Sequence, residues 1–244
     1  ALITGGDSGI GRAVAIAYAR EGANVAIQYY PGEEEDAKEV KKLIEEAGRK
    51  SLLLPYDLRN DGVATDIVKK TVDAFGKIDI LVLNAAQQIA HENFKDLKIQ
   101  QVEDTFKVNV ISIFETVQAA MDHLHPGSAI ITTTSVQSFN PSPPLIDYAA
   151  TKGAISNLTI NLSKIFAEKG VRVNGVAPGP IWTPLQLDQG QPKGEIPEFG
   201  QDTLLGRAGQ PVELAPVYVL LASDEASYIT GQIYGVTGDR TINL

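Results

Sequence analysis

The sequence predicts an α/β fold, a doubly wound parallel sheet of about seven strands with helices on both faces. Two observations predict it: short apolar, β-rich runs alternate with amphipathic stretches along the chain, and a glycine-rich turn joins the first run to the first amphipathic one. Strands covered on both sides read as near-continuous apolar segments, and such strands alternating with helices build a parallel sheet. Right-handed crossovers then leave one simple solution, a doubly wound sheet that binds ligand at the carboxyl ends of its strands.

The first run, Ala1-Leu2-Ile3, is short for a strand and enters the glycine turn at once, which suggests that further residues precede it. The remaining strands are expected at 25–29, 51–54, 78–83, 129–133, 171–176 and 232–236. Helical patterns fill the gaps at 10–21, 33–47, 61–75, 99–123, 146–168 and 211–223, several closing on a glycine such as Gly22, Gly48, Gly76 or Gly170. The whole of 1–244 reads as one domain. Between about 180 and 210, turn-forming glycines and prolines mark an excursion over the site, a candidate lid.

Composition narrows the function. The 244 residues carry a formal net charge of −9, which disfavours nucleic acid or an anionic membrane as partner and leaves a small molecule. No apolar run reaches membrane-spanning length. The chain has no cysteine, which removes disulfides and thiolate chemistry and fits a cytoplasmic setting. Of its three histidines, His123 and His125 sit beside Pro126 where a helix should end, so no metal site is expected.

Thr4-Gly5-Gly6-Asp7-Ser8-Gly9-Ile10-Gly11 follows the first strand and opens the first helix. Backbone N–H groups and the helix dipole there can hold a pyrophosphate, and glycines permit its close approach. Further on, Tyr148 and Lys152 lie one helical turn apart and point to one side. Reduction of a carbonyl needs a proton donor at oxygen and a group that polarises the C=O bond, roles open to Tyr148 and Ser135. A neighbouring ammonium would lower the ordinary phenol pKa, which assigns Lys152 its place.

The spacing T-G-x-x-x-G-x-G resembles that of the short-chain dehydrogenase/reductase family. The likeness extends over nearly the whole chain: Asn84-Ala85-Ala86, Asn109, Ser135, Tyr148-x-x-x-Lys152 and Pro178-Gly179 follow in the family's order. It implies a Rossmann-type sheet and an NAD(P)-dependent oxidoreductase moving a hydride to or from a carbonyl or alcohol carbon. Tyr148 would then be the general acid or base, Lys152 would also bind the nicotinamide ribose, and Ser135 would bond the substrate oxygen. Asn109 would anchor a water-linked proton path, unless it is a structural amide.

For the cofactor, the resemblance implies contacts from Gly5, Asp7, Ser8, Gly9, Ile10 and Gly11 in the turn. It adds Asp57 and Leu58 at the adenine, with a helix N-cap as the other reading of Asp57, and Asn84, Ala85 and Ala86 under the ribose. Pro178, Gly179, Ile181 and Thr183 would meet the carboxamide and diphosphate. Tyr29 and Tyr30 end the second strand, where an acid favours NAD and a base favours NADP. They offer neither, and both dinucleotides stay open with a lean to NADP.

Two departures from the family's pattern stand out. Gln87 replaces a customary glycine, and Thr151 a frequent serine. The second-strand region is similar to glucose- and ribitol-dehydrogenase-like members, which implies sugars, polyols, alcohols or aldehydes as substrates. A homo-oligomer, commonly a tetramer, is implied as well. Trp182 and 185–187 could equally close over substrate or form an oligomer contact. A dinucleotide-binding sensor without turnover is the alternative function, and the intact Ser135, Tyr148 and Lys152 speak against it.

Overall fold

The computed structural model describes residues 1–192 and 194–238. Seven parallel strands form one sheet: β1 (Leu2–Thr4), β2 (Val25–Tyr29), β3 (Ser51–Pro55), β4 (Ile80–Leu83), β5 (Ala129–Thr133), β6 (Arg172–Pro178) and β7 (Ile233–Val236). Their spatial order is β3-β2-β1-β4-β5-β6-β7. The chain therefore runs outward from β1 to one edge, returns to the middle at β4, and runs to the other edge. That reversal opens a crevice above the ends of β1 and β4.

Period-two alternation along the strands divides the core into two layers. Leu2, Leu81, Leu83 and Ile130 face α3 (Val63–Phe75), α5 (Ser112–Ala120) and α6 (Ile146–Phe166). Ile3, Val82 and Ile131 face the opposite way, onto α1 (Gly9–Arg20), α2 (Glu34–Glu46) and α7 (Ala215–Ala222). Both surfaces of the central strands are thus buried, which is why their sequence is largely apolar, with buried polar residues such as Thr4, Gln28 and Thr133 towards the carboxyl ends. No helix among the described residues is long and apolar enough to cross a membrane.

The long helix expected over 99–123 is not continuous. It comprises α4 (Ile99–Phe106), a π-helical stretch at Lys107–Ile111, and α5. One extra residue per turn in that stretch turns Asn109 into the interior, where it is fully buried. A single phase shift of this kind leaves the apolar pattern on either side intact. The helix expected at 211–223 likewise begins as a 3-10 turn at Pro211–Glu213 before α7.

The excursion between β6 and α7 is closed at its base, since Ile181 and Gly209 form a β-bridge and Gly209 N–H donates to Pro180 O at 2.9 Å. Inside it Trp182 meets Phe199 edge to face, their ring centres 5.1 Å apart. The last residues of the chain, from 239, lie outside the described part.

The glycine turn is held by close backbone packing. A Cβ on Gly11 would lie 1.8 Å from Gly5 O, and one on Gly9 would lie 3.0 Å from Thr183 Cγ2. Gly11→Ala is therefore expected to cost about 3 kcal/mol or more, at or beyond the upper end for overpacking. Urea unfolding of the two proteins checks it, and a midpoint equal to that of the parent would refute the packing argument.

Candidate active site

An open cleft of about 1040 Å³ lies over the carboxyl ends of the strands. Pockets for drug-sized ligands run to about 1,000 Å³, so this one has room for an extended ligand. Of the residues expected to act here, Gly5, Asp7, Ser8, Gly9 and Ile10 line it from the first turn, and Tyr30, Asp57 and Leu58 from the second and third strand ends. Asn84, Ala85 and Ala86 form its middle, and Ser135, Tyr148, Lys152, Pro178, Gly179, Ile181 and Thr183 the far side.

Three expected residues are placed differently. Tyr29 is buried at 3% exposure in the α1–α2 core layer, because it is the last inward position of β2. Gly11 sits behind the turn, where it permits the close approach of Gly5 O. Asn109 also lies behind the cleft wall. Its Nδ2 donates to Gln87 O and Thr151 Oγ1, both at 3.0 Å, while its Oδ1 accepts from Gln87 N–H at 2.7 Å. The amide ties the segment after β4 to α6.

That tie explains how Gln87 fits where a glycine is customary. Its backbone is gripped from both sides, and its side chain donates to Thr105 Oγ1 at 3.1 Å, which donates in turn to Asp147 Oδ2 at 2.9 Å. Asp147 is buried beside Tyr148 in the first turn of α6, and its Oδ1 has no hydrogen-bond partner among the described residues.

The reactive corner combines three side chains. Ser135 ends the stretch after β5, with a 3-10 turn beginning at its own carbonyl and its Oγ accepting from Gln137 N–H at 3.1 Å. Tyr148, in the first turn of α6, has its phenol beside the Ser135 hydroxyl, which acts to lower the phenol's pKa. Lys152 is only 1% exposed, with its Nζ donating to Thr133 O at 2.7 Å and lying 5.3 Å from the centre of the Tyr148 ring.

The electrostatics correct the sequence expectation. Burial pushes the Tyr148 phenol up to about 12, and the Ser135 hydroxyl opposes this only in part. Burial also draws the Lys152 ammonium down to about 7. Both charged forms lose their hydration in the same pocket, and desolvation is the leading cause of each shift.

The other end of the cleft is a cradle of backbone. Gly5 N–H donates to Gln28 Oε1 at 3.1 Å, and Gln28 Nε2 donates to Tyr56 O at 2.7 Å, so one buried glutamine couples the turn to the end of β3. Gly5 and Gly9 have positive φ, 61° and 49°. Thr183 Oγ1 is buried without a partner among the described residues, directly over Gly9. A glycine cradle with an unpaired hydroxyl above it suits a diphosphate, which brings many acceptor oxygens and no donor. Asp57 does not cap α3, which starts behind Gly62. Its carboxylate instead takes Arg59.

These motifs sit on one fold in one order, and comparison with known proteins agrees. A family model described as Enoyl-(Acyl carrier protein) reductase matches residues 5–238. The chain belongs to the short-chain dehydrogenase/reductase family. An uncharacterised oxidoreductase of Bacillus subtilis (strain 168), YhxD, is 58% identical over 98% of this chain and 81% of its own length. The glucose and ribitol dehydrogenase of Daucus carota is 42% identical over 100% of this chain and 85% of its own. A short-chain dehydrogenase from Burkholderia cenocepacia J2315, solved in complex with NADP, superposes with a TM-score of 0.90 at 29% identity, covering 98% of this chain and 96% of that one.

Several residues that shape this short-chain dehydrogenase/reductase cleft carried no signal in the sequence. Gln28, Arg59 and Gln88 are examples. Gln88 is 3% exposed and donates to Gln186 Oε1 at 3.0 Å and to Gly190 O, tying the post-β4 segment to the excursion. Only the general rule that binding residues follow strand ends could have pointed to them.

Replacing Asn109 by Leu leaves Gln87 N–H and Gln87 O without the amide that pairs them, while Thr151 Oγ1 keeps its bond to Tyr148 O. The cost expected is about 3 kcal/mol, from about 1–3 kcal/mol per buried unsatisfied group less partial relaxation. Thermal or urea unfolding would show it, and a stability within experimental error of the parent would contradict the structural role.

Proposed function

We propose that the protein interconverts a carbonyl and an alcohol on a small substrate of the sugar, polyol, alcohol or aldehyde class, using NADP or NAD with NADP favoured. One observation carries the reading: Ser135, Tyr148 and Lys152 are buried together at one end of a cleft whose other end is the glycine cradle, with the Lys152 ammonium 5.3 Å from the centre of the Tyr148 ring. A nicotinamide dinucleotide supplies or takes the hydride. Gly5 to Ile10, Asn84 to Ala86, and Pro178 to Thr183 are the residues that would hold it.

The chain's own groups handle the proton. With its pKa near 12 the Tyr148 phenol is protonated at neutral pH, ready to donate to the oxygen being reduced. An alkoxide is a stronger base than a phenolate, so that transfer runs downhill. The Ser135 hydroxyl, beside the Tyr148 phenol, is placed to share the same substrate oxygen and polarise it. Lys152, when cationic, stabilises the phenolate left behind, and the Thr133 carbonyl fixes where its Nζ can sit.

An NADP-bound structural relative and a relative named for glucose and ribitol support the cofactor and substrate classes. Exposed Ile111, Phe114, Ile146 and Ile165 on the α5 and α6 side favour a homo-oligomer, for which we propose a tetramer. The cysteine-free sequence fits a cytoplasmic enzyme.

Tyr148→Phe is expected to lower turnover by roughly two to four orders of magnitude while dinucleotide binding persists, the usual worth of acid-base catalysis. The assay is absorbance at the nicotinamide band over a panel of aldehydes, sugars and polyols with both dinucleotides. Full activity in the variant would remove Tyr148 from the mechanism, and silence of the parent across the panel would favour a dinucleotide sensor.

The pH dependence follows from Lys152. The group is cationic below about 7 and neutral above, so stabilisation of the phenolate fades as pH rises through that value. Reductive kcat/KM should therefore fall across neutrality, and Lys152→Met should lose that inflection along with most of the rate. Persistence of the same inflection in the variant would assign it to another group.

A further inference from the structure

The second strand ends without an acid or a base, yet a cation reaches its tip from elsewhere. Arg59 lies two residues beyond Asp57 in the segment after β3. Its backbone N–H and Nε donate to Asp57 Oδ1 at 2.9 and 3.0 Å, and its Nη2 donates to Asp57 Oδ2 at 2.8 Å. Nη2 also donates to the Tyr30 hydroxyl at 3.1 Å, and the guanidinium lies 5.4 Å from the centre of the Tyr30 ring. Tyr30, the residue just past β2, is half exposed. All three side chains line the cleft.

A guanidinium has five N–H donors in a fixed fork. Asp57 and Tyr30 engage Nε and Nη2, so the two Nη1 hydrogens have no acceptor among the described residues. The side chain is thereby held rigid, 36% exposed, with part of its donor edge unspent. Planar, bidentate arginine edges are suited to phosphate oxygens, and preorganisation lowers the entropy lost on binding.

An opposing pair lies in the same wall. Asp7, from the glycine turn and 3% exposed, lies beside Glu33, from the loop after β2, and each carboxyl acts on the other's pKa. Partial desolvation and the charge of the buried Asp7 push the exposed Glu33 up to about 7, as expected for two carboxyls held close together. Both line the cleft.

We propose that Arg59, braced by Asp57 and Tyr30, is the phosphate-reading group of this cleft, selecting a dinucleotide that carries a 2′-phosphate on its adenosine ribose, against the repulsion of Asp7 and Glu33. The inference rests on the dinucleotide reading of the cleft. It names the residue that decides between the two dinucleotides.

The test is binding, not turnover: fluorescence titration of the whole protein with NADPH and NADH, and calorimetry with 2′,5′-ADP and 5′-AMP, at about pH 8, above the value of about 7 to which Glu33 is pushed. Arg59→Met keeps a long apolar chain over Tyr30 and should weaken NADPH and 2′,5′-ADP by roughly 10- to 100-fold, the worth of charge-assisted hydrogen bonds, with NADH and 5′-AMP within about twofold. Arg59→Lys should recover part of the loss. Glu33→Gln should tighten NADPH several-fold and leave NADH as it was.

Equal weakening of both dinucleotides by Arg59→Met would make Arg59 a brace only, and no weakening of either would remove it from the site; each overturns the proposal. A parent protein that binds NADH more tightly than NADPH would also overturn it. Failure of the parent to bind either nucleotide would instead bring down the dinucleotide reading, and the proposal with it.

Discussion

The arrangement of the cleft depends on Asn84. At the point where the strand order reverses, its Nδ2 donates to Gly5 O at 3.0 Å and to Thr4 O at 3.3 Å, and its Oδ1 accepts from Thr133 Oγ1 at 3.0 Å. One amide thus joins the ends of β1, β4 and β5. Thr133 carries the carbonyl that holds Lys152 and bonds Tyr218 through its hydroxyl at 2.7 Å, so the same knot reaches the reactive lysine and the α7 layer. Parallel strands end in unpaired backbone groups, and a side chain that satisfies two carbonyls at the end of β1 while accepting from a hydroxyl at the end of β5 fixes the spacing of these strand ends.

Much of this was legible in the sequence because burial on both faces writes itself into composition. The alternation of Leu2 and Ile3, or Ile130 and Ile131, between two helix layers is what makes each strand look largely apolar. The glycines of the first turn were legible for a related reason: only their lack of a Cβ permits the backbone approach seen at Gly11. Tyr148 and Lys152 were legible as a pair because helical periodicity converts a spacing of four into a shared face.

What the sequence hid depends on contacts between segments far apart. Arg59 reads as an ordinary loop residue until Asp57 folds it back onto Tyr30. The π-helical stretch was invisible because inserting one residue into a turn preserves apolar periodicity before and after it, while rotating Asn109 to the inside. The phenol's high pKa was missed for a different reason. A neighbouring charge can be inferred from spacing, whereas the depth at which both groups lose water cannot.

The bridge between Ile181 and Gly209 has an evolutionary consequence. Because the two stems of that loop are stapled together, residues between them can be exchanged, added or removed at small entropic cost and without shifting β6 or α7. Under the proposed function, the part of the loop beyond Thr183 can thus vary as a cassette while the floor that carries Ser135, Tyr148 and Lys152 stays constant. Gln88, reaching across to Gln186, would be among the few places where a new cassette must still match the old scaffold.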